Sequence, residues 1–180
     1  EEPYGKPSVV ALNRASHAYH ATANGGVLSP RGLMLLGSAE TAEAFAADLL
    51  SMEMEEMSLA DAVARVPILR TDVIDRIGYH EAAWDIDTDR LIQNFAAEVR
   101  QNGGTVQTRA EVTAINRTTT GWQITTTAQV LEARHIVNAA GAWVDGVAKM
   151  AGVAPLGFTP LRRSMARIPA HGGHDIAAWP

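Results

Sequence analysis

The stretch that decides the fold is Ile136-Val137-Asn138-Ala139-Ala140-Gly141-Ala142-Trp143, which runs directly into residues 144–152. The β-branched pair at its start predicts a short buried strand. The apolar positions of 144–152 recur at helical spacing and predict a helix. The side chains between them are small, so a ligand can approach the backbone at this corner. The same pattern also occurs where a helix merely packs tightly against a strand, and the residues alone leave both interpretations open.

The composition is that of a globular protein and excludes several classes of function. Of the 180 residues, 47% are hydrophobic and 19% are charged, and the net charge is −5. The acidic balance argues against nucleic-acid binding, which favours basic patches. The chain has no cysteine, so it has no disulfide, zinc–thiolate site or thiol nucleophile. No apolar run approaches the roughly 18 residues that span a bilayer.

Periodicity and capping residues predict a mixed α/β chain. Helices are expected from Pro7 to the Asn24 turn, after the N-caps Ser38 and Ser58, and from the Asp85–Asp89 stretch to Gly103. A turn is expected at 28–32, extended chain at 73–84, and strands at 33–36, 105–107, 111–116, 122–127, 130–132, 135–137 and 161–168. The strands after residue 104 are close enough in sequence for hairpins, so part of the sheet should be antiparallel.

Several familiar binding and catalytic patterns are missing from the sequence. There is no G-x-G-x-x-G and no Walker A motif, so the chain has no standard pyrophosphate cradle. There is no G-x-S-x-G, which argues against a serine hydrolase. The pairs His17/His20 and His171/His174 lack a convincing third ligand, so we interpret them as surface histidines and predict no metal site.

Two other features have both an ordinary and a functional interpretation. Arg162 and Arg163 are neighbours on a predicted strand, where successive side chains point to opposite faces. One guanidinium could therefore reach a carboxylate in a cleft, although two surface charges are the simpler interpretation. Tyr4 is either an ordinary exposed tyrosine or the hydroxyl and apolar cover of a substrate loop.

Taken together, motifs along the whole chain resemble the FAD-dependent D-amino acid oxidase/dehydrogenase superfamily and, within it, the bacterial D-arginine dehydrogenases. The likeness is specific because these motifs occur in the same order from one end of the chain to the other. The motifs are Tyr4-Gly5-x-Pro7, Leu28-Ser29-Pro30-Arg31, Val66-Pro67-x-Leu69-Arg70, Asp85-Ile86-Asp87-Thr88-Asp89, Asn138 to Trp143, Ala151-Gly152-Val153, Pro160-Leu161-Arg162-Arg163 and Trp179-Pro180.

The resemblance implies an enzyme that oxidises the CH–NH2 group of an amino acid or related amine. A hydride passes from the α-carbon to flavin N5, and the imino acid is then hydrolysed; FAD supplies the redox chemistry. The electron acceptor is not implied. By position, the resemblance assigns substrate binding to Tyr4 and Arg163 and no catalytic residue. It assigns FAD binding to Val112, Asn138, Ala139, Ala140, Gly141 and Trp143.

The resemblance also implies that residues 1–180 are a middle fragment of a two-lobed enzyme, because the superfamily's G-x-G-x-x-G segment and C-terminal part have no counterpart here. Segments of about 31–87 and 161–180 would belong to a mixed-sheet substrate lobe. Segments 1–30 and 88–160 would belong to the FAD lobe. The isolated chain is then expected to be inactive, to hold FAD weakly or not at all, and to self-associate through exposed apolar surface. The expected location is the cytoplasm, with the whole enzyme either free or peripheral to a membrane.

One departure and two alternatives bear on the substrate. Leu33 stands where the arginine-specific members have a glutamate that can pair with a guanidinium, which predicts a preference for neutral or apolar amino acids. The whole enzyme could instead oxidise a 2-hydroxy acid or glycerol 3-phosphate, because the superfamily shares its FAD corner across these reactions. The missing phosphate loop also allows a non-redox binding domain derived from the same scaffold.

Overall fold

A computed structural model describes residues 3, 5–162, 164–166, 169, 171–177 and 179–180. The chain forms two compact units, Glu1–Glu98 with Pro169–Pro180 and Val99–Ile168. Each unit contains both helix and strand, so the predicted mixed α/β class is confirmed.

The first unit is built around a small antiparallel sheet with helices packed on it. In chain order its elements are α1 (Pro7–Thr22), β1 (Leu28–Pro30), β2 (Leu33–Gly37), α2 (Ala42–Ser51), β3 (Glu55–Glu56), α3 (Leu59–Arg65), β4 (Arg76–His80), β5 (Trp84–Ile86) and the first part of α4 (Thr88–Gln101). The sheet has the order β2-β4-β3, and β1 pairs separately with β5, with Leu28 opposite Ile86.

The core of this unit lies where the sheet meets its helices. A Cβ at Gly37 would lie 2.6 Å from Cδ2 of Phe45, so only glycine lets α2 pack this closely on β2. Phe45 and Ile77 are each only 3% exposed, and Ala62 of α3 is fully buried. The predicted caps are present: the Ser58 hydroxyl accepts a hydrogen bond from the Asp61 amide at 3.1 Å, and Asp87 caps α4 in the same way.

The second unit contains an antiparallel meander followed by a short helix. Its elements, after the end of α4, are β6 (Val112–Arg117), β7 (Trp122–Thr126), β8 (Val130–Ala133) and α5 (Val144–Met150). The strand order is β6-β7-β8, and the pairing shifts by one residue between Val112 and Ala114, which marks a β-bulge. Ile115 is buried, and α5 lies against β6.

The structure corrects several predicted strands. Residues 28–30 form β1 rather than a turn, and the stretch predicted as extended at 73–84 is divided into β4 and β5 by a turn. Residues 105–107 and 135–137 form no strand, because a strand requires a hydrogen-bonding neighbour and none lies beside them among the described residues. The described part of 161–168 is likewise not a strand. The expected antiparallel pairing is confirmed.

Within the part of the chain that the structure describes, no helix is both long and apolar enough to cross a bilayer. The same residues contain no group of three His, Asp or Glu side chains placed to hold a metal ion.

Candidate functional site

The small-residue stretch forms an exposed corner that Asn138 closes onto the protein's own backbone. Its Nδ2 donates a hydrogen bond to the carbonyl oxygen of Val144 at 2.8 Å. Its Oδ1 accepts one from the backbone amide of Ala140 at 3.3 Å. The amide of Trp143 then donates to the carbonyl of Ala140 at 3.0 Å. The Asn138 side chain is thus used to shape the corner, in which residues 139 and 141–143 are exposed.

Gly141 is required for its backbone conformation and not for close packing. Its φ is +55°, a left-handed value that L side chains rarely adopt. A Cβ built on it would meet no atom within 4 Å among the described residues. The sequence allowed either tight helix packing or access for a ligand, and tight packing is not observed here. Trp143 beside it is 76% exposed, so the corner presents an open surface.

Val112, the other predicted FAD contact, lies at the β-bulge that begins β6. It is half-buried and pairs with Thr126, whereas Thr113 falls in the irregular step and donates from its hydroxyl to the carbonyl of Thr125 at 3.3 Å. Bulges interrupt the ladder and are common beside binding sites. Because α5 lies against β6, the helix that follows the corner also packs on the strand that Val112 begins.

Asp145, in the first turn of α5, is a residue that sequence analysis did not single out. Its carboxylate accepts hydrogen bonds from three backbone amides, those of Leu156 at 3.1 Å, Gly157 at 2.9 Å and Phe158 at 3.0 Å. An aspartate in the first turn is ordinarily explained by the helix dipole. Only the three-dimensional structure shows that it holds a segment more than ten residues away.

The two predicted substrate-binding residues, Tyr4 and Arg163, lie outside the described residues. Arg162 is described and is exposed. The structure therefore brings together the residues of the corner but does not test the substrate assignment.

The interpretation of His17 and His20 as surface histidines is only partly correct. His17 and His20 are half-buried instead of fully on the surface. The ring of His17 meets that of Trp84 edge-on at 5.4 Å. Both histidines line an open cleft of about 290 Å³ between α1 and the β1–β5 pair. The ring of His174 lies 5.7 Å from that of Trp179.

The pKa values of Arg70 and Asp72, which lie outside the corner, are shifted by their mutual hydrogen bonds. The Arg70 guanidinium hydrogen-bonds to Asp72 and lowers the pKa of that carboxyl, while the pKa of Arg70 is raised. Both side chains are exposed, so the pair adds little to stability and does not tune the candidate site.

The corner is exposed, consists of small residues and precedes α5, but residues 135–137 before it form no strand. Residues 3–180 match the sequence model of the family described as FAD dependent oxidoreductase (DAO). The chain belongs to this family of FAD-dependent oxidoreductases.

Solved structures share the fold. L-proline dehydrogenase from P. horikoshii superposes with a TM-score of 0.67 at 16% identity over 85% of this chain. Glycine oxidase from Geobacillus kaustophilus gives 0.67 at 20% identity over 82%. FAD-bound, dithionite-reduced L-alpha-glycerophosphate oxidase from Mycoplasma pneumoniae gives 0.65 at 16% identity over 84%. The chain spans 44% of the length of each of these structures.

The exposed corner leaves room for a ligand beside the main chain. Residues 139 and 141–143 are exposed, and a Cβ at Gly141 would meet no described atom within 4 Å, so the main chain there is accessible to a ligand edge. The sequence has no G-x-G-x-x-G or Walker A loop that would bind the pyrophosphate of FAD.

Proposed function

We propose that this chain is part of an enzyme that uses FAD to oxidise the CH–NH2 group of an amino acid. The observation that carries the proposal is the open corner at Asn138–Trp143 in a chain of the FAD-dependent oxidoreductase family. Two of the structural neighbours are by name a proline dehydrogenase and a glycine oxidase, which supports an amino acid as substrate.

The chain's residues would contact the cofactor and bind the substrate. The backbone of Ala139, Ala140 and Gly141, fixed by Asn138 and flanked by Trp143, would hold one edge of the cofactor. When bound, FAD supplies the redox chemistry by accepting a hydride from the substrate. Val112 would add a second backbone contact.

Substrate binding falls in this proposal to Arg163 and Tyr4. A guanidinium presents two parallel N–H donors to a carboxylate, the group common to amino acids. A tyrosine can cover a substrate with its ring and still offer its hydroxyl. Segments 31–87 and 161–180 would then form the substrate lobe, and 1–30 and 88–160 the FAD lobe. We place the whole enzyme in the cytoplasm, free or at a membrane surface.

The substrate side chain is proposed to be neutral or apolar. Leu33 begins β2, is half-buried and lies directly opposite His80 of β4. A leucine cannot balance the charge of a guanidinium, and a buried cation without a partner is costly. The enzyme should therefore favour D-leucine or D-phenylalanine over D-arginine.

The test uses the whole enzyme of which this chain is proposed to be part: its bound flavin is reduced under anaerobic conditions, and visible absorption and release of ammonia are followed. We expect D-leucine and D-phenylalanine to bleach the flavin with stoichiometric ammonia, and D-arginine to do so more slowly. A strong preference for D-arginine would contradict the proposed side-chain class. Bleaching by a 2-hydroxy acid without ammonia would contradict amino acid oxidation altogether.

A second candidate is oxidation of glycerol 3-phosphate, which the likeness to a glycerophosphate oxidase favours. It predicts bleaching by glycerol 3-phosphate and none by amino acids in the same assay. A whole protein that carries no flavin and cannot be loaded with it would favour a non-redox binding domain.

A further inference from the structure

We propose that the open edge of β2 is completed in the whole enzyme by an apolar strand from the segment that follows Pro180. The interaction surface is the outer edge of Leu33–Gly37, on the side away from β4. The inference goes beyond the proposed function and rests on it in one respect, because the added strand belongs to the whole enzyme of which this chain is proposed to be part.

The first observation is that β2 has a strand partner on one side alone. It pairs with β4 along all five residues of Leu33–Gly37, without a bulge. In an antiparallel pair only every second residue bonds to the partner strand, so alternate N–H and C=O groups of β2 point away from β4. Among the described residues, the amide of Asp75, which donates to the Gly37 carbonyl at 3.2 Å, is the only backbone group outside β4 that bonds to β2.

The second observation is that helices cover both faces of this sheet. On one face, a Cβ at Gly78 of β4 would lie 2.8 Å from Cδ1 of Leu49, so α2 packs closely there. Tyr79, the next residue, points to the opposite face, where its hydroxyl accepts a hydrogen bond from Nη1 of Arg65 in α3 at 3.2 Å. A strand between two covered faces is expected to be apolar at successive positions instead of alternating.

The third observation is that the two edges of the sheet differ in sequence. The other edge strand, β3, is short and consists of Glu55 and Glu56, which are both exposed. Short strands and charged side chains are features by which proteins keep an edge from pairing. By contrast, β2 has the sequence Leu-Met-Leu-Leu-Gly, with no charge, no proline and no bulge. It therefore has the sequence of an inner strand in the position of an edge strand.

Three facts favour a strand that follows Pro180 as the occupant of this edge. Pro169–Pro180 belongs to the same compact unit as β2, so a chain that continues past Pro180 starts in this unit. The chain spans 44% of the length of each solved neighbour, which leaves length for further strands in the whole enzyme. The side chains of β2 are apolar on both faces, so a strand that pairs beside them should be apolar too.

Hydrogen exchange of the whole enzyme, resolved to single amides, tests whether the edge is occupied. An edge strand protects every second amide, whereas a strand with partners on both sides protects successive amides. We expect both alternate sets of amides within 33–37 to exchange at least about a hundredfold more slowly than the amides of exposed loops. Fast exchange at every second amide of β2 would mean a free edge and would overturn the proposal.

Two lysine variants of the whole enzyme test the surface itself. Leu36→Lys puts on β2 the kind of side chain that protects natural edge strands, at a position that is 43% exposed. Leu50→Lys is the matched control, since Leu50 is 82% exposed and lies in α2 and not in the sheet. We expect the amides that point away from β4 to exchange about tenfold faster in Leu36→Lys and to be unchanged in Leu50→Lys. Equal exchange in the two variants would exclude this edge as the interaction surface.

A photoreactive benzoylphenylalanine in place of Leu36 identifies the occupant. In the whole enzyme we expect it to cross-link, within one molecule, to a peptide that follows Pro180, as read by mass spectrometry of the digest. A cross-link to a peptide that precedes Glu1, or between two copies of the enzyme, would overturn the proposed occupant. Neither exchange nor cross-linking requires turnover. An enzyme that oxidises no amino acid would therefore contradict the proposed function and leave these results standing.

Discussion

Asn138 satisfies two backbone groups at once, so its removal should affect the corner more than an ordinary surface substitution. In Asn138→Ala, the carbonyl of Val144 and the amide of Ala140 both lose their side-chain partner. We expect the free energy of unfolding to fall by about 1–2 kcal/mol and the flavin to dissociate more readily. Denaturant titration of the chain measures the first effect, and flavin release from the whole enzyme on dialysis measures the second.

Asn116→Ala is the control for this prediction, since Asn116 is an exposed residue of β6 opposite Gln123. Exposed positions of this kind change stability by no more than about 0.5 kcal/mol. Equal effects of the two substitutions on flavin retention would contradict a special role for Asn138.

Leu33 offers a test of substrate selection by a single residue. Leu33→Glu places a carboxylate at the start of β2, opposite His80. Because a carboxylate favours a cationic partner nearby, we expect the kcat/KM of the whole enzyme for D-arginine to rise relative to that for D-leucine by about tenfold or more. Leu33→Gln, which is similar in size but neutral, is the control and should leave the ratio nearly unchanged. If the ratio of kcat/KM for D-arginine to that for D-leucine changed equally in both variants, Leu33 would not be part of the substrate site.

At the scale of elements, two glycines should respond to alanine with opposite signs. Gly37→Ala places a Cβ against the buried ring of Phe45, and such overpacking costs about 1–3 kcal/mol. Gly146→Ala lies inside α5 with open space around it, and there alanine should stabilise by about 0.5–1 kcal/mol. Thermal unfolding of both variants measures the signs, and stabilisation by Gly37→Ala would refute the packing of α2 on β2.

The sequence identified the helices well because their signals are local. Ser58 and Asp87 are caps that act within a few residues, and the structure confirms both. The strands predicted at 105–107 and 135–137 were wrong because strand formation depends on a partner that no local pattern reveals. Val137, for example, has strand character and is 88% exposed.

The candidate site was predictable only in part for a related reason. Small residues at 139–142 marked the corner, since their composition is visible in the sequence. The internal bonds of Asn138 and the three amides held by Asp145 depend on how the chain folds back on itself. No spacing rule connects an aspartate with a loop beyond the following helix.

At the scale of the whole molecule, the chain carries much exposed apolar surface. In the second unit Val137 is 88% exposed, Leu161 82% and Met165 99%. Such surface favours association, so we expect the 180-residue chain on its own to form oligomers. Light scattering coupled to size exclusion tests this, and Leu161→Ser with Met165→Ser should shift the population toward monomer. A wild-type chain that remains at 19.2 kDa would contradict the prediction.

Cofactor binding by the 180-residue chain alone should be weak. The corner offers backbone contacts, but the sequence contains no glycine-rich loop to hold a pyrophosphate. Titration with FAD, followed by the absorption of the protein after gel filtration, should show much less than one flavin per chain. Stoichiometric retention would mean that the phosphates are held by a different group of residues.

The strand pairings also determine an order of events during synthesis. Strands β6 and β7 pair across a short turn, with Arg117 opposite Trp122, so only a short loop has to close to form this hairpin. By contrast, Leu28 of β1 pairs with Ile86 of β5, and closing so long a loop is slower. On the ribosome, β1 therefore emerges well before its partner exists. Until residue 86 has been translated, the backbone of β1 has no partner, and its edge could pair wrongly with another nascent chain.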